Sequence, residues 1–473
     1  MENYYSYIDG KKQTSSSKKI IKVNPINGKS ISLIHEMKEG ILNNKLSKFR
    51  GHLDISHPIR SQIVSKIINN FKNNKNKIIK TLMLETGRKK TDCLGEFDAA
   101  ITCAEFFQGE GLRLYSNVRK SFDKDKICFS VREPCGVALL IVASNTPLAN
   151  IAWKFFPAFI AGNKIVLKGS EDVPKLNDLI YKLIINSGVK KDEIMLIQGT
   201  GINIGNILIN SYEYDVISFT GGSEIGKKIN ETCSKRLKKI SLELGGKNSI
   251  YIDSECDIEN AYKTVINSSF SNAGQRCASS SKIIVHEDLY RQFKKKLIYE
   301  VNKLTVGNKD SDFLGPVINE KLYKRQKEIL KKYKNYVVAG DKNFNKKNTP
   351  GFKIYPTIIE NFPRNKDLFY DEIFGPIAIM IKVKSIKEAI KIANDSIYGL
   401  SSAIHTKSID KMNLFIKNIK TGVCNVNTGT HGSEPHFPFG GLKDSGNGTR
   451  EPGETAIDIY TNYKNISIKW LLN

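Results

Sequence analysis

Val137-Ala138-Leu139-Leu140-Ile141-Val142 is an unbroken apolar run, flanked by Pro134-Cys135-Gly136 and by Ala143-Ser144-Asn145-Thr146-Pro147. Six apolar residues without alternation suit a strand buried on both faces, as in a parallel sheet. Outward from it, residues 148–161 have helical spacing, 165–167 read as strand and 175–187 as helix. Residues 194–198 are the next strand, 204–210 a helix and 216–219 another strand. That alternation predicts a doubly wound, mostly parallel sheet, and a dinucleotide-binding layer as a hypothesis. A second alternation follows, with helix 258–270, strand 282–285, and helices 288–303, 320–333 and 386–394. The expected fold class is α/β, with two doubly wound α/β domains. Gly199-Thr200-Gly201-Ile202-Asn203-Ile204-Gly205 imitates a dinucleotide fingerprint, but its last glycine is one residue late and it reads as a turn.

Before the apolar run, Tyr7-Ile8-Asp9-Gly10 and residues 21–24 read as short strands with turns, and Ser15-Ser16-Ser17 as a flexible connection. Ser56 and Pro58 suit a helix start, and Ile59, Ile63, Ile67 and Phe71 recur at helical spacing. Further helices are expected over 78–86, stopping at Gly87, and over 92–109. The tail segments 456–460 and 466–470 read as strands.

A chain of 473 residues exceeds what one hydrophobic core serves, so two or three domains are expected. No apolar run is long enough to cross a bilayer, and Met1-Glu2-Asn3-Tyr4-Tyr5 does not open a signal peptide. Eight cysteines lack paired spacing and no Cys-x-x-Cys occurs. Reduced thiols in a cytoplasmic setting are expected, with no metal site. The net charge of +25 is spread from end to end, and its densest runs, 72–80 and Arg88-Lys89-Lys90, read as solvated helix surface. Without a recognised binding motif or an aromatic-basic platform, neither nucleic acid nor membrane is an expected partner.

One cysteine stands apart, in Ser271-Asn272-Ala273-Gly274-Gln275-Arg276-Cys277-Ala278-Ser279. Small and polar neighbours let backbone approach a ligand closely, and the adjacent Arg276 favours thiolate, the reactive form. Upstream, Leu242-Glu243-Leu244-Gly245-Gly246-Lys247-Asn248 holds a carboxylate between two leucines. Partial burial there raises a carboxyl pKa toward the range of a general base. A buried ion-pair partner is the other reading of Glu243.

Nucleophile, candidate base and glycine-rich backbone at this spacing resemble the aldehyde dehydrogenase superfamily, and the resemblance runs over nearly the whole chain. It implies catalytic roles for Cys277, Glu243, Asn145 and Lys154. Asn145 would donate to the oxyanion, although alone it is equally a turn residue before Pro147. Lys168, Ser170 and Glu171 would hold the adenosine ribose of NAD. Glu171 would repel a 2′-phosphate and so disfavour NADP. Gly221, Ser223 and Gly226 would form the pyrophosphate turn at a helix start. Leu244, Glu372 and Phe374 would complete the cofactor site. Residues 143–147 depart from the family's Pro-Trp-Asn-Phe-Pro, which predicts a wider and more polar substrate tunnel. Asn150, Trp153, Arg276, Glu434, His436 and Phe439 are its candidate lining, suited to a semialdehyde or hydroxylated aldehyde. The resemblance implies a cofactor domain from residues 1–113 and 132–245 and a catalytic domain over 246–437. It also implies oligomerisation strands within 114–131 and 455–473, paired across a homodimer or homotetramer. A coenzyme-A-acylating relative and a non-catalytic binding member are the alternatives.

Overall fold

The computed structural model describes residues 1–114, 117–211, 213–340 and 350–470. Two seven-stranded sheets form its frame. The apolar run becomes the strand Val137–Ile141, buried at every position, in the middle of the first sheet. Lys164–Lys168 and Ile194–Ile197 lie on one side of it, and Val216–Thr220 and Lys239–Glu243 on the other, all parallel. The chain therefore reverses its direction of travel across the sheet at Val137–Ile141. Such a switch point opens a crevice at the carboxyl ends of the strands. Tyr7–Ile8 and Lys11–Lys12 extend the far edge antiparallel.

The helix Pro147–Ala161 covers this sheet because its sequence is apolar almost all round. Phe155, Phe156 and Phe159 are fully buried, each contributing roughly 2–3 kcal/mol by burial. Helices Lys75–Thr86 and Lys90–Glu110 pack nearby, the first stopping at Gly87 as expected.

The second sheet runs in the order 337–339, 357–360, 377–383, 280–286, 248–252, 401–405 and 423–426, parallel except at its first pair. Strand Lys239–Glu243 of the first sheet leads through residues 244–247 straight into Asn248–Ile252 of the second. Carboxyl ends of one sheet thereby meet amino ends of the other along one seam.

Four expectations change. Residues 456–460 are a short helix rather than a strand, and only Thr461–Lys469 is extended. Ala456, Ile457, Ile459 and Tyr460 of this helix are buried in the core that covers the first sheet, a pattern a half-exposed strand would not satisfy. Thr461–Lys469 pairs antiparallel with Lys126–Pro134 of its own chain, and Asn117–Lys120 completes the three-stranded sheet. The cross-subunit pairing is thus made within one chain. Parts of the segments 114–131 and 455–473 (residues 115, 116 and 471–473) lie outside the described residues. Ser16 opens the strand Ser16–Val23, so of the expected connection only Ser15 stays outside regular structure. In the helix His57–Asn73, Ile59 is 48% exposed while Ile63, Ile67 and Phe71 are buried, because the first turn projects beyond the core.

Candidate active site

The loop that carries Cys277 is tightly constrained. Helix Ile258–Phe270 ends in a turn over Ser271–Gly274 in which Asn272 and Ala273 both have left-handed backbone (φ 52 and 54). Non-glycine residues pay roughly 1–2 kcal/mol each for that conformation, so the surroundings must hold it. Asn272 is buried and donates Nδ2 to the carbonyl of Asn145 (3.2 Å). Gly274 (φ 65) presses on the carbonyl of Gly375, where a Cβ would collide. Asn248 donates to the carbonyls of Cys277 (2.7 Å) and Ser279 (2.9 Å). Gly246 lies so close that a Cβ there would sit 2.7 Å from the Cys277 carbonyl oxygen. Gly246 thus lets one backbone pass against another, and Gly245 leaves room for the Glu372 carboxylate.

Asn145 follows the central strand of the first sheet, and its side-chain Nδ2 donates to the carbonyl of Gln275 (2.9 Å). An amide carries two N–H donors, so one remains for a ligand. Asn150, one turn on, donates to Thr146 (carbonyl, 2.9 Å) and Asn145 Oδ1 (3.4 Å). It braces Asn145 rather than opening into a tunnel. Trp153 and Phe439 pack together (ring centroids 5.6 Å), and Cys277 borders the same apolar cluster with Ala278 and Leu400.

Glu243 ends strand Lys239–Glu243. It is 5% exposed, and neither carboxyl oxygen has a hydrogen-bond partner among the described residues. Burial and the charge of Glu451 push its carboxyl well above the usual range, against the pull of Lys154 and Arg450. Lys154 is enclosed with Glu451 (2.7 Å) and Ser218 (2.7 Å). Burial also pushes the Cys277 thiol up, to about 12, helped by the charges of Glu243 and Glu372 and opposed by the N–H groups of Ala278 and Cys277.

This corrects the reading of Arg276 as the thiolate's activator. Its guanidinium turns to Ser271 Oγ; the Cys277 charge acts on Arg276, but at the sulfur, burial, Glu243 and Glu372 outweigh Arg276. Burial, together with the charge of Arg88, lowers Arg276 itself to about 10.

The residues expected to hold a dinucleotide lie along the same seam. Lys168 and Glu171 are paired at 3.1 Å beyond the strand Lys164–Lys168, with Ser170 buried between them. Burial alone would raise Glu171, but the Lys168 charge and the Gly201 N–H leave it below its ordinary value. Thr220 passes through Gly221-Gly222 into helix Ser223–Ser234, whose N-cap Gly222 offers no side-chain cap. Gly226 rests on Leu244, where a Cβ would collide, and Ser223 Oγ donates to the Asp444 carbonyl (3.0 Å). Glu372 accepts from the Gly246 N–H (3.1 Å), and burial raises its carboxyl to about 7. Phe374 has φ 53, and its carbonyl is held by Gln326 (2.7 Å). Uncapped helix N–H groups, a buried Lys–Glu pair and a carboxylate bound only to backbone suit a dinucleotide's phosphates and ribose hydroxyls.

Glu434 and His436 do not reach this cluster. They lie exposed on the loop before Pro438 and face each other at 3.5 Å. Sequence reading missed Glu451, Arg88, Glu96 and Asn248. Asn248 alone carried a signal, being adjacent to the paired glycines.

The aldehyde dehydrogenase family matches residues 12–466, and the chain belongs to that family. It is 33% identical to alpha-ketoglutaric semialdehyde dehydrogenase of Bacillus subtilis over 81% of this chain and 80% of that protein. It is 31% identical to 2,5-dioxopentanoate dehydrogenase of Saccharolobus solfataricus, covering 92% of each. Betaine aldehyde dehydrogenase from Staphylococcus aureus in complex with NAD+ superposes with a TM-score of 0.92 at 28% identity, covering 98% of this chain and 94% of that one. The protein is accordingly an oxidoreductase, an NAD(P)-dependent aldehyde dehydrogenase that oxidises aldehyde to acid. Among the described residues, no helix is long and apolar enough to cross a membrane.

Proposed function

We propose that the protein oxidises a polar aldehyde, a semialdehyde or hydroxylated aldehyde, with NAD in preference to NADP, through Cys277. The observation that carries this reading is the partnerless carboxyl of Glu243 near enough to Cys277 for its charge to act on the thiol. The names of the semialdehyde relatives support the substrate class.

Cys277 Sγ, once deprotonated, adds to the aldehyde carbon. Charge moves to oxygen, where the free N–H of Asn145 and the backbone N–H of Cys277 receive it; one such donor is worth roughly 3–4 kcal/mol. NAD, when bound, supplies the acceptor for the hydride that leaves this carbon. Lys168, Ser170 and Glu171 would hold its adenosine ribose, the turn at Gly221, Ser223 and Gly226 its pyrophosphate, and Glu372 and Phe374 its nicotinamide end. The acyl group then rests on sulfur as a thioester, splitting one hard step into two. Glu243, as carboxylate, takes a proton from the attacking water, and the acid departs with Sγ restored. Both Glu243 and Cys277 start protonated because burial disfavours their charged forms, so turnover rises with pH through their ionisations. We further propose a cytoplasmic homodimer or homotetramer assembled through the three-stranded sheet, with no nucleic-acid or membrane partner.

The test is Cys277→Ala against a panel of semialdehydes and hydroxylated aldehydes, followed by NADH absorbance. NADH formation should vanish while NAD affinity is retained. Oxidation that survives in Cys277→Ala would refute the assignment, and a wild-type requirement for coenzyme A would replace hydrolysis with acyl transfer.

A further inference from the structure

Arg88 and Glu96 form an ion pair sealed inside the protein, 3% and 6% exposed. Arg88 had read as part of a solvated basic run. Instead it lies between the helices Lys75–Thr86 and Lys90–Glu110 and points inward. Both members also bind the segment that carries Asn145. Glu96 Oε1 accepts the N–H groups of Leu148 (2.7 Å) and Ala149 (3.2 Å). These belong to the first turn of helix Pro147–Ala161, where Thr146 provides no side-chain cap. A carboxylate there satisfies orphan donors and faces the positive end of the helix dipole. The Arg88 guanidinium donates to the carbonyls of Asn145 (3.4 Å) and Asp92 (2.9 Å).

The pair is poorly made for stability alone. Arg88 Nε is buried without a partner among the described residues, and buried ion pairs are often no better than apolar replacements. What it does is grip the backbone on both sides of Thr146-Pro147. With Asn272 of the Cys277 loop on the same carbonyl and Asn150 on Oδ1, the side-chain Nδ2 of Asn145 is held toward Gln275 of that loop.

We propose that Arg88 and Glu96 are positioning residues, which clamp Asn145 so that its side-chain amide meets the oxyanion formed at Cys277. This rests on the function proposed above. Displacing a catalytic donor by about 1 Å can lower a rate about 100-fold, so the clamp predicts an effect on chemistry with little on cofactor binding.

The experiment is a double-mutant cycle. Arg88→Lys keeps the charge but loses the planar fork. Glu96→Gln keeps an oxygen for the helix N–H groups but loses the charge facing Arg88. Each is measured in wild type and in Asn145→Ala by the pre-steady-state rate of NADH formation, with NAD affinity measured alongside. Each should slow NADH formation about 10- to 100-fold in wild type, with NAD affinity within about twofold. On the Asn145→Ala background the same change should cost less than about threefold, since groups acting through one residue are not additive. Equal factors on both backgrounds, or NAD affinity falling in step, would mean a structural role and overturn the proposal. Hydrogen exchange gives a second readout that needs no turnover. Glu96→Gln should speed exchange about tenfold in a peptide spanning residues 145–150 and leave the second sheet unchanged. Unchanged exchange there also overturns the clamp. A wild type that oxidises no aldehyde in the panel but shows this local exchange would reject the proposed function while retaining the contact.

Discussion

Glu243 and Glu451 are two carboxylates of one buried neighbourhood, yet their surroundings are opposite. Glu451, 0% exposed, accepts from Lys154 Nζ (2.7 Å), Ser218 Oγ (2.6 Å) and Ser241 Oγ (2.7 Å). Glu243 is nearly as buried and accepts from no described group. An unsatisfied buried polar group costs about 1–3 kcal/mol, so folds rarely keep one without a use. The contrast separates a carboxylate whose charge is matched on every side from one held without a partner among the described residues, the one to which the proposed function gives the role of base. Their proximity adds to the effect, because the charge of Glu451 is one reason that Glu243 holds its proton.

Removing the proposed base should produce the largest change. Glu243→Gln preserves shape but cannot take a proton from water, so steady-state turnover should fall roughly 10²–10⁴-fold. A burst of NADH near one per site should remain, with acyl groups on Cys277 by intact mass. Normal turnover in Glu243→Gln would erase the distinction between the two carboxylates.

The matched carboxylate should respond in stability instead. Glu451→Ala strands Lys154 as an unpaired buried charge, a loss of about 3–5 kcal/mol readable as a lower urea midpoint. A midpoint unchanged from wild type would show that the Lys154–Glu451 cage holds little.

A smaller effect sharpens the contrast through pH. Glu243 has a raised carboxyl pKa in the folded protein, so above its unfolded value near 4.5 the unfolded chain releases a proton that the folded chain keeps. Stability therefore falls as pH rises through that window, by up to about 1.4 kcal/mol per pH unit. Glu243→Gln lacks this penalty, so its melting temperature relative to wild type should rise with pH above the unfolded carboxyl value, until Glu243 ionises in the folded protein. A constant difference would mean that Glu243 ionises normally.

The smallest expected effect concerns a third carboxylate, Glu171, which is partly exposed and paired with Lys168. Glu171→Gln should narrow the preference for NAD over NADP by a few-fold, because removing like-charge repulsion near the surface is worth about 0–1 kcal/mol. Michaelis constants for both cofactors decide this, and a wild type that prefers NADP would remove the role given to Glu171.

Much of this molecule is legible in its residue order. The run 137–142, the helix-period stretches and the turn glycines are local signals, set by backbone sterics and by alternation over a few residues. They place most helices and four parallel strands of the first sheet within a few positions, but only one strand, 280–286, of the second sheet. The failures are equally specific. Residues 456–460 look extended because Ile, Ile and Tyr favour strands, but burial in the core that covers the first sheet overrides that propensity. Ile59 continues an apolar stripe beyond the point where there is anything to pack against. Arg88 looks solvated beside two lysines, and only the carboxylate of Glu96 from the next helix makes its burial tolerable.

Residue order is enough to show that this chain alternates strands and helices, and that Cys277, Glu243 and Asn145 are its candidates for chemistry. That Gly246 lets backbone pass against the Cys277 carbonyl appears only in the fold. The tertiary structure alone decided the electrical state of those groups. Arg276 adjoins Cys277 in the chain but turns to Ser271, while burial, and after it Glu243 and Glu372, 34 and 95 positions away, push the thiol up. The reason is physical: a side chain's charge answers to burial and to whatever lies within a few ångströms. That neighbourhood is set by the seam between two sheets, whose distant segments are adjacent only in the folded chain.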